Sequence, residues 1–277
     1  MKKMQKKRPA KKRPVCLITG ASAGIGSALA REFANAGWDL ALTARREEPM
    51  VELAKELKEE YGSTSHIIVA DLSKPGACAD ILERLAKKTT HIDGLVNNAG
   101  YGLTGNYTEN EWPAHKDFLT VMLEAPCEMT RLVADGMVER RFGRIINVAS
   151  LAGHVPGSRG HTLYAATKSF LIKFSQSLNL EMQEHNVKVS ALCPGFTYSE
   201  FHDVNETRGA VDKLPNWMWM TAEEVAESGF IALARNRAVH IPGASNRMIA
   251  LLARLIPESW ALKLMSRNSE KFRKDKR

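Results

Sequence analysis

Val15-Cys-Leu-Ile-Thr-Gly20-Ala-Ser-Ala-Gly24-Ile-Gly26 decides how this chain is read. A short apolar, β-branched run ends in a glycine loop. A helical pattern follows, with Ile25, Leu29 and Phe33 on one face and Gly37 closing it. Buried strand, glycine loop and helix make the first half of a dinucleotide-binding unit. The glycines let the backbone turn tightly and approach a pyrophosphate, which then sits at the helix N-terminus. Gly20, Gly24 and Gly26 lie between the right strand and the right helix, which carries more weight than a glycine pattern alone.

The next strand, Asp39-Leu-Ala-Leu-Thr43, runs into Ala44-Arg45-Arg46. An acid here would hold a ribose 2′-hydroxyl. Two arginines suit a 2′-phosphate instead, so the expected cofactor is NADP(H). A helix bearing Met50, Leu53, Ala54, Leu57 and Tyr61 leads to the strand His66-Ile-Ile-Val-Ala70. Asp71 and Leu72 at its end are placed to contact an adenine edge. Ile81, Leu82 and Leu85 mark another helix, and Gly94-Leu-Val-Asn97-Asn98-Ala99-Gly100 gives a fourth strand and a small-residue turn. From Glu111 to about Arg140 the pattern is helical, with Pro126 expected to kink or divide it. A fifth strand from Gly143 delivers Ser150, and a helix from about Thr162 to Glu184 carries Tyr164 and Lys168. The sixth strand, Val187 to Cys193, ends at Pro194-Gly195. Alternating strands and helices predict an α/β fold with a doubly wound parallel sheet of about seven strands and helices on both faces. Ligands belong beyond the strands' C-terminal ends.

Tyr164 and Lys168 stand four apart, on one helix face. A free tyrosine titrates near ~10 and is a poor acid or base at neutral pH. A lysine charge held close favours the phenolate, and a serine hydroxyl nearby could hold a substrate oxygen beside the phenol. Together the three groups can pass a proton to or from a carbonyl or alcohol oxygen.

A chain of 277 residues, 44% hydrophobic, can bury a full core. Its net charge of +8 is concentrated: residues 1–14 hold eight Lys/Arg and no acid, and the remaining Lys/Arg match the 31 acids. These residues read as a basic disordered tail, and a second basic stretch ends the chain. Weak contact with a membrane surface through such tails is possible chemistry. Neither zinc-ligand spacing nor an aromatic-basic pattern points to a metal or to specific nucleic-acid binding. Cys16, Cys78, Cys127 and Cys193 are scattered, which fits a reducing cytoplasm.

These motifs together resemble the short-chain dehydrogenase/reductase family over roughly residues 14–200. The matching residues are Thr19-Gly20-x-x-x-Gly24-x-Gly26, Asp71, Asn97-Asn98-Ala99-Gly100, Ser150, Tyr164-x-x-x-Lys168 and Pro194-Gly195. The resemblance implies a single Rossmann-type domain over 15–245 and hydride transfer between nicotinamide and a carbonyl/alcohol pair. It implies Tyr164 as general acid/base, Ser150 orienting the substrate oxygen, and Lys168 lowering the tyrosine pKa and holding the nicotinamide ribose. Gly20, Ser22, Gly24, Ile25, Gly26, Arg45, Asp71, Leu72, Asn98, Pro194, Gly195 and Thr197 would complete the cofactor site, with Ser199 also near the nicotinamide. The family also implies a homodimer or homotetramer.

One departure stands out. Met122 aligns where the family places an asparagine that helps a water-linked proton relay reach the lysine, and a thioether is at best a weak acceptor. A nucleotide-sensing or scaffold protein with little turnover is therefore the alternative expectation. Residues 196–220, with Phe196, Tyr198, Phe201, Trp217, Met218, Trp219 and Met220, read as an apolar lid for a small apolar carbonyl or secondary alcohol. A bland reading has Trp217 and Trp219 packing the next helix, Ala222–Ala234. Residues 246–277 read as an amphipathic C-terminal helix and basic tail, the helical run being Arg247–Leu264.

Overall fold

The computed structural model describes residues 12–89, 91–103, 105–198, 216–257 and 259–263. Most of the basic tail, Ser199, Phe201 of the expected lid, and residues 264–277 lie outside these. The order is β1 (Val15–Thr19), α1 (Gly24–Asn35), β2 (Asp39–Ala44), α2 (Glu48–Tyr61), β3 (Ser65–Val69), α3 (Ala77–Ala86) and β4 (Gly94–Asn97). Then come α4 (Trp112–Leu119), α5 (Ala125–Glu139), β5 (Gly143–Val148), α6 (Thr162–Met182) and β6 (Val187–Leu192). The chain continues through β7 (Phe196–Tyr198), β8 (Trp219–Thr221), α7 (Ala222–Ala234), β9 (Val239–His240) and α8 (Ala244–Leu255).

Seven strands pair in parallel in the order β3-β2-β1-β4-β5-β6-β9, as the alternation of apolar runs predicts. Alternate residues of each strand feed opposite faces. Cys16, Ile18, Leu40 and Leu42 pack with Leu29 and Phe33 of α1, Leu57 of α2 and Val225 of α7. Leu17, Leu95, Ile145 and Val189 pack on the other side with Ile81 of α3 and Met129 and Val133 of α5. Each face is sealed, so the sheet presents only its ends to ligands.

The ends of β1 and β4 are locked by one side chain. The buried Thr19 hydroxyl donates to the Val96 carbonyl at 3.2 Å and accepts from the backbone N–H groups of Asn98 and Ala99, each at 3.0 Å. One donor and two lone pairs are all in use. Asn98 reciprocates, its Nδ2 donating to the carbonyls of Thr19 and Gly20, both at 3.0 Å. A polar ladder crosses the sheet behind this clamp. Asn97 Nδ2 donates to Asn147 Oδ1 at 2.8 Å, and Asn147 Nδ2 to Ser175 Oγ of α6 at 2.8 Å.

Three details depart from the sequence reading. Pro126 does not simply kink a helix: a π-helical segment, Thr120–Glu124, joins α4 to α5, with the Ala125 N–H donating to the Thr120 carbonyl. Widening the turn keeps the proline ring off the carbonyl four residues back, that of Met122, to which Pro126 can donate nothing. Second, β7 and β8 form a small parallel sheet of their own. Third, the helical run read as Arg247–Leu264 starts earlier and is interrupted: α8 starts after Gly243 and ends before Pro257, and residues 259–263 are helical again.

Thr19→Val keeps the shape of the side chain and removes its three hydrogen bonds. Urea unfolding should then show a loss of about 2–4 kcal/mol, because two N–H groups lose a buried acceptor. A cost below about 1 kcal/mol would mean the clamp is not needed.

Candidate active site

The glycine loop is shaped by close approach. Gly20 has φ +65°, a left-handed conformation that side chains resist, and a Cβ there would lie 2.8 Å from the Ala99 Cα and from Asn98 Nδ2. A Cβ on Gly26 would overlap the Gly20 carbonyl and come within 2.5 Å of Asn98 Nδ2. The loop is thus pressed against the turn after β4, leaving a bare backbone cradle at the N-terminus of α1. Ser22 and Ile25 flank it, and Ile25 packs on the core under the loop.

The ends of β2 and β3 frame the adjoining edge. Arg46 Nη2 donates to Ser22 Oγ at 3.4 Å, which brings the arginine pair to the glycine loop. Burial would push the Asp71 carboxyl up, but hydrogen bonds from Ser73 outweigh it, helped by the Arg45 and Lys74 charges, and hold it below its usual range. Leu72 packs against the core beneath. No acid competes with the arginines at Ala44. Together the cradle and the arginine pair offer what a dinucleotide with a 2′-phosphate requires.

Ser150 follows β5 in extended conformation, and its Oγ accepts from the Ala152 N–H at 3.1 Å. Tyr164 sits in the first turn of α6, half-buried, with a hydrogen bond to the Ser150 side chain. One turn on, buried Lys168 points its Nζ at the Val148 carbonyl, 2.7 Å away, and stands 5.6 Å from the centre of the tyrosine ring. Pro194 lies behind them, its carbonyl accepting from the Leu151 N–H at 2.8 Å. Gly195 packs against Asn246 of α8, and Thr197 Oγ1 donates to the Gly195 carbonyl at 3.2 Å. The three expected catalytic groups and the loop residues therefore gather along one edge of the sheet.

The electrostatics correct one expectation. Lys168 does not lower the tyrosine in this conformation. Burial pushes the Tyr164 phenol up to about 12, opposed by the hydrogen bond from Ser150, and the Lys168 ammonium is turned to the Val148 carbonyl. Lys168 itself is driven down to about 8 by burial, with the nearby Cys193 opposing. The phenol is thus a proton donor at neutral pH, and the lysine is charged but close to its titration point.

The sequence reading gave no role to Cys193, whose buried thiol is pushed up to about 12 by burial with the Lys168 charge opposing. It also missed Asn147 and Ser175; a polar residue inside the apolar strand β5 was the available signal for Asn147, and Ser175 of α6 carried none. Met122 is buried in the π-helical segment against Gly100. Trp219 stacks on Tyr198 with ring centroids 4.6 Å apart and tilts over Phe196 at 5.7 Å. Met220 packs on the core instead, and Trp217 is exposed.

Comparison with known proteins places the chain in a family. Residues 14–208 match the family described as short chain dehydrogenase. The chain is 35% identical over 225 residues to the NADP-dependent 3-hydroxy acid dehydrogenase YdfG of Escherichia coli O6:H1, covering 77% of this chain and 86% of that one. Its fold is similar to a short-chain dehydrogenase from Sphingobium yanoikuyae in complex with NADPH, at TM-score 0.77 and 32% identity, covering 88% and 96% of the two chains. It is also similar to the bulky-bulky ketone specific alcohol dehydrogenase from Comamonas testosteroni, at TM-score 0.73 and 32% identity, covering 88% and 93%.

Burial of Lys168 has a consequence for stability with a defined sign. Its folded pKa of about 8 lies below the ordinary 10.5, so below pH 8 both states are charged and the full cost of the buried ammonium is present. Between these values the folded state releases its proton first, and stability rises with pH. The difference corresponds to roughly 3 kcal/mol. Against Lys168→Met, which has no such charge, the wild type should gain by up to that amount in urea unfolding as pH rises from 8 to 10.5. A flat difference would contradict the depressed lysine.

Proposed function

The chain belongs to the short-chain dehydrogenase family, and we propose that it uses NADP(H) to interconvert an apolar ketone and its secondary alcohol through Tyr164. The observation that carries this is the convergence of Ser150, Tyr164 and Lys168 on the edge that bears the glycine cradle. NADP(H), bound along that edge, supplies or accepts the hydride. Gly20, Gly24 and Gly26 admit its pyrophosphate to the backbone, with Ser22 and Ile25 beside them. Arg45 and Arg46 hold the 2′-phosphate, Asp71 and Leu72 border the adenine, and Asn98, Pro194, Gly195 and Thr197 border the nicotinamide side.

Ser150 holds the substrate oxygen beside the phenol. In reduction the Tyr164 hydroxyl gives that oxygen its proton, completing the alcohol; in oxidation the phenolate takes it back. Lys168 places a positive charge behind the phenol and a donor at the nicotinamide ribose. A phenol held near 12 stays protonated at neutral pH, the form that donates in reduction. The Met122 thioether cannot serve a water relay as an asparagine would. The rings of Phe196, Tyr198 and Trp219 favour an apolar substrate, in keeping with the bulky ketones named for the Comamonas enzyme.

NADPH oxidation measured with a panel of aryl and acyl ketones tests this reading. Tyr164→Phe should lower kcat by roughly 10²–10⁴-fold with cofactor affinity retained. Cofactor binding without turnover, unaffected by that substitution, would identify a nucleotide-sensing protein instead. Arg45→Ala should weaken NADPH by roughly tenfold and leave NADH nearly unchanged, the loss of one charge-assisted contact. Equal effects on both cofactors would remove the 2′-phosphate assignment.

A further inference from the structure

The last helices carry an apolar stripe turned the wrong way for a core. On α8, Met248, Leu251, Leu252 and Leu255 recur at helical spacing, and all are exposed, from 48% at Leu252 to 69% at Leu255. The opposite side of the same helix holds the buried Asn246, whose Nδ2 donates to the Pro242 carbonyl at 2.8 Å. The helix is therefore fixed to the body by its polar side and offers its apolar side outward. Past Pro257, Trp260 and Leu262 are exposed as well, at 68% and 45%.

Charge decides what fits there. Arg247 and Arg254, seven apart, line one flank of the stripe, and α8 contains no acid. Over residues 244–277 nine Lys/Arg oppose three acids. Two copies meeting through this face would bring like charges together, which is destabilising. The stripe is also small: a 12-residue helix is about 18 Å long, and a band ~10 Å wide along it covers on the order of 200 Å². That falls well short of the ~800 Å² per partner of a stable protein interface. A shallow apolar face with a tryptophan and a cationic surround matches the boundary of an anionic bilayer, where leucines enter the acyl region and basic groups meet phosphates.

We propose that α8 and residues 259–263 dock this protein on an anionic lipid surface. No helix among the described residues is long and apolar enough to cross a membrane, so the contact is with the surface. Sedimentation of the full chain with vesicles tests the assignment. The protein should pellet with phosphatidylcholine vesicles containing about 30% phosphatidylglycerol, pellet less at high salt, and stay in solution with phosphatidylcholine alone. Leu251→Ser/Leu255→Ser removes apolar surface and no charge, and should reduce binding roughly tenfold with NADPH affinity unchanged. Should the pair disturb folding, Leu255→Ser alone, at the most exposed position, should give a smaller loss in the same direction.

Three results would overturn the proposal. One is no pelleting of the wild type with the anionic vesicles. Another is a double variant that binds as well as wild type, which would assign lipid contact to the basic segments alone. The third is a lipid-free dimer, seen in sedimentation velocity, that the double variant converts to monomer, which would make a second copy the occupant.

Discussion

The hydroxyl of Thr19 is the pin on which this structure turns. It joins the ends of β1 and β4, the two strands between which the sheet order reverses its direction of growth. In a doubly wound sheet that junction opens the crevice where ligands bind, because the loops on either side leave toward opposite faces. Here the junction is fixed by saturated hydrogen bonding at Thr19. Asn98 closes the same junction from the other direction, and the two glycines beside it are small because the turn after β4 lies against them. Cofactor cradle and sheet architecture are one set of contacts.

Chemistry at the neighbouring strand ends rests on a cost. Lys168 is buried, its Nζ donates to the Val148 carbonyl, and burial disfavours its charge. Tyr164 is likewise held away from its ionised form. At neutral pH both groups thus still carry their protons. The positioning is rigid because Ser150 follows β5 directly and α6 is tied across the sheet by Asn147 and Ser175. A fold that stabilised these groups fully would leave them less able to exchange a proton.

Much of this was legible in the sequence, for reasons that differ by element. The β1 strand, its glycine loop and α1 are read locally, since strand, turn and helix signals all fall within one short stretch. The seven-stranded parallel sheet follows from repeated alternation, and α7 lies where Ala222–Ala234 was read, its start marked by the Thr221/Glu224 capping box. Hidden features are those that depend on neighbours distant in sequence. The Thr19 clamp exists only because β4 lies beside β1. The turning of Lys168 toward Val148 depends on how α6 sits on β5. Pro126 signalled an interruption, but its form as a π-helical segment depends on the packing of α4 and α5. β7 and β8, three residues each, are too short to show a period of two.

The register of β1 ties ligand binding to the sequence-distant half of the sheet. Val15 pairs with Asp39, close by in the chain, whereas Cys16 pairs with Gly94 across two further strand–helix units. Closing that longer loop costs more chain entropy, and its return includes the docking of Asn98 on the glycine loop. Any local opening that frees β4 therefore erases the cradle as well. By mass action, a nucleotide that occupies the crevice suppresses such openings in proportion to its concentration over its Kd. Amide protons of β1 and β4 consequently report on cofactor occupancy through their exchange with solvent, although these strands lie within the core.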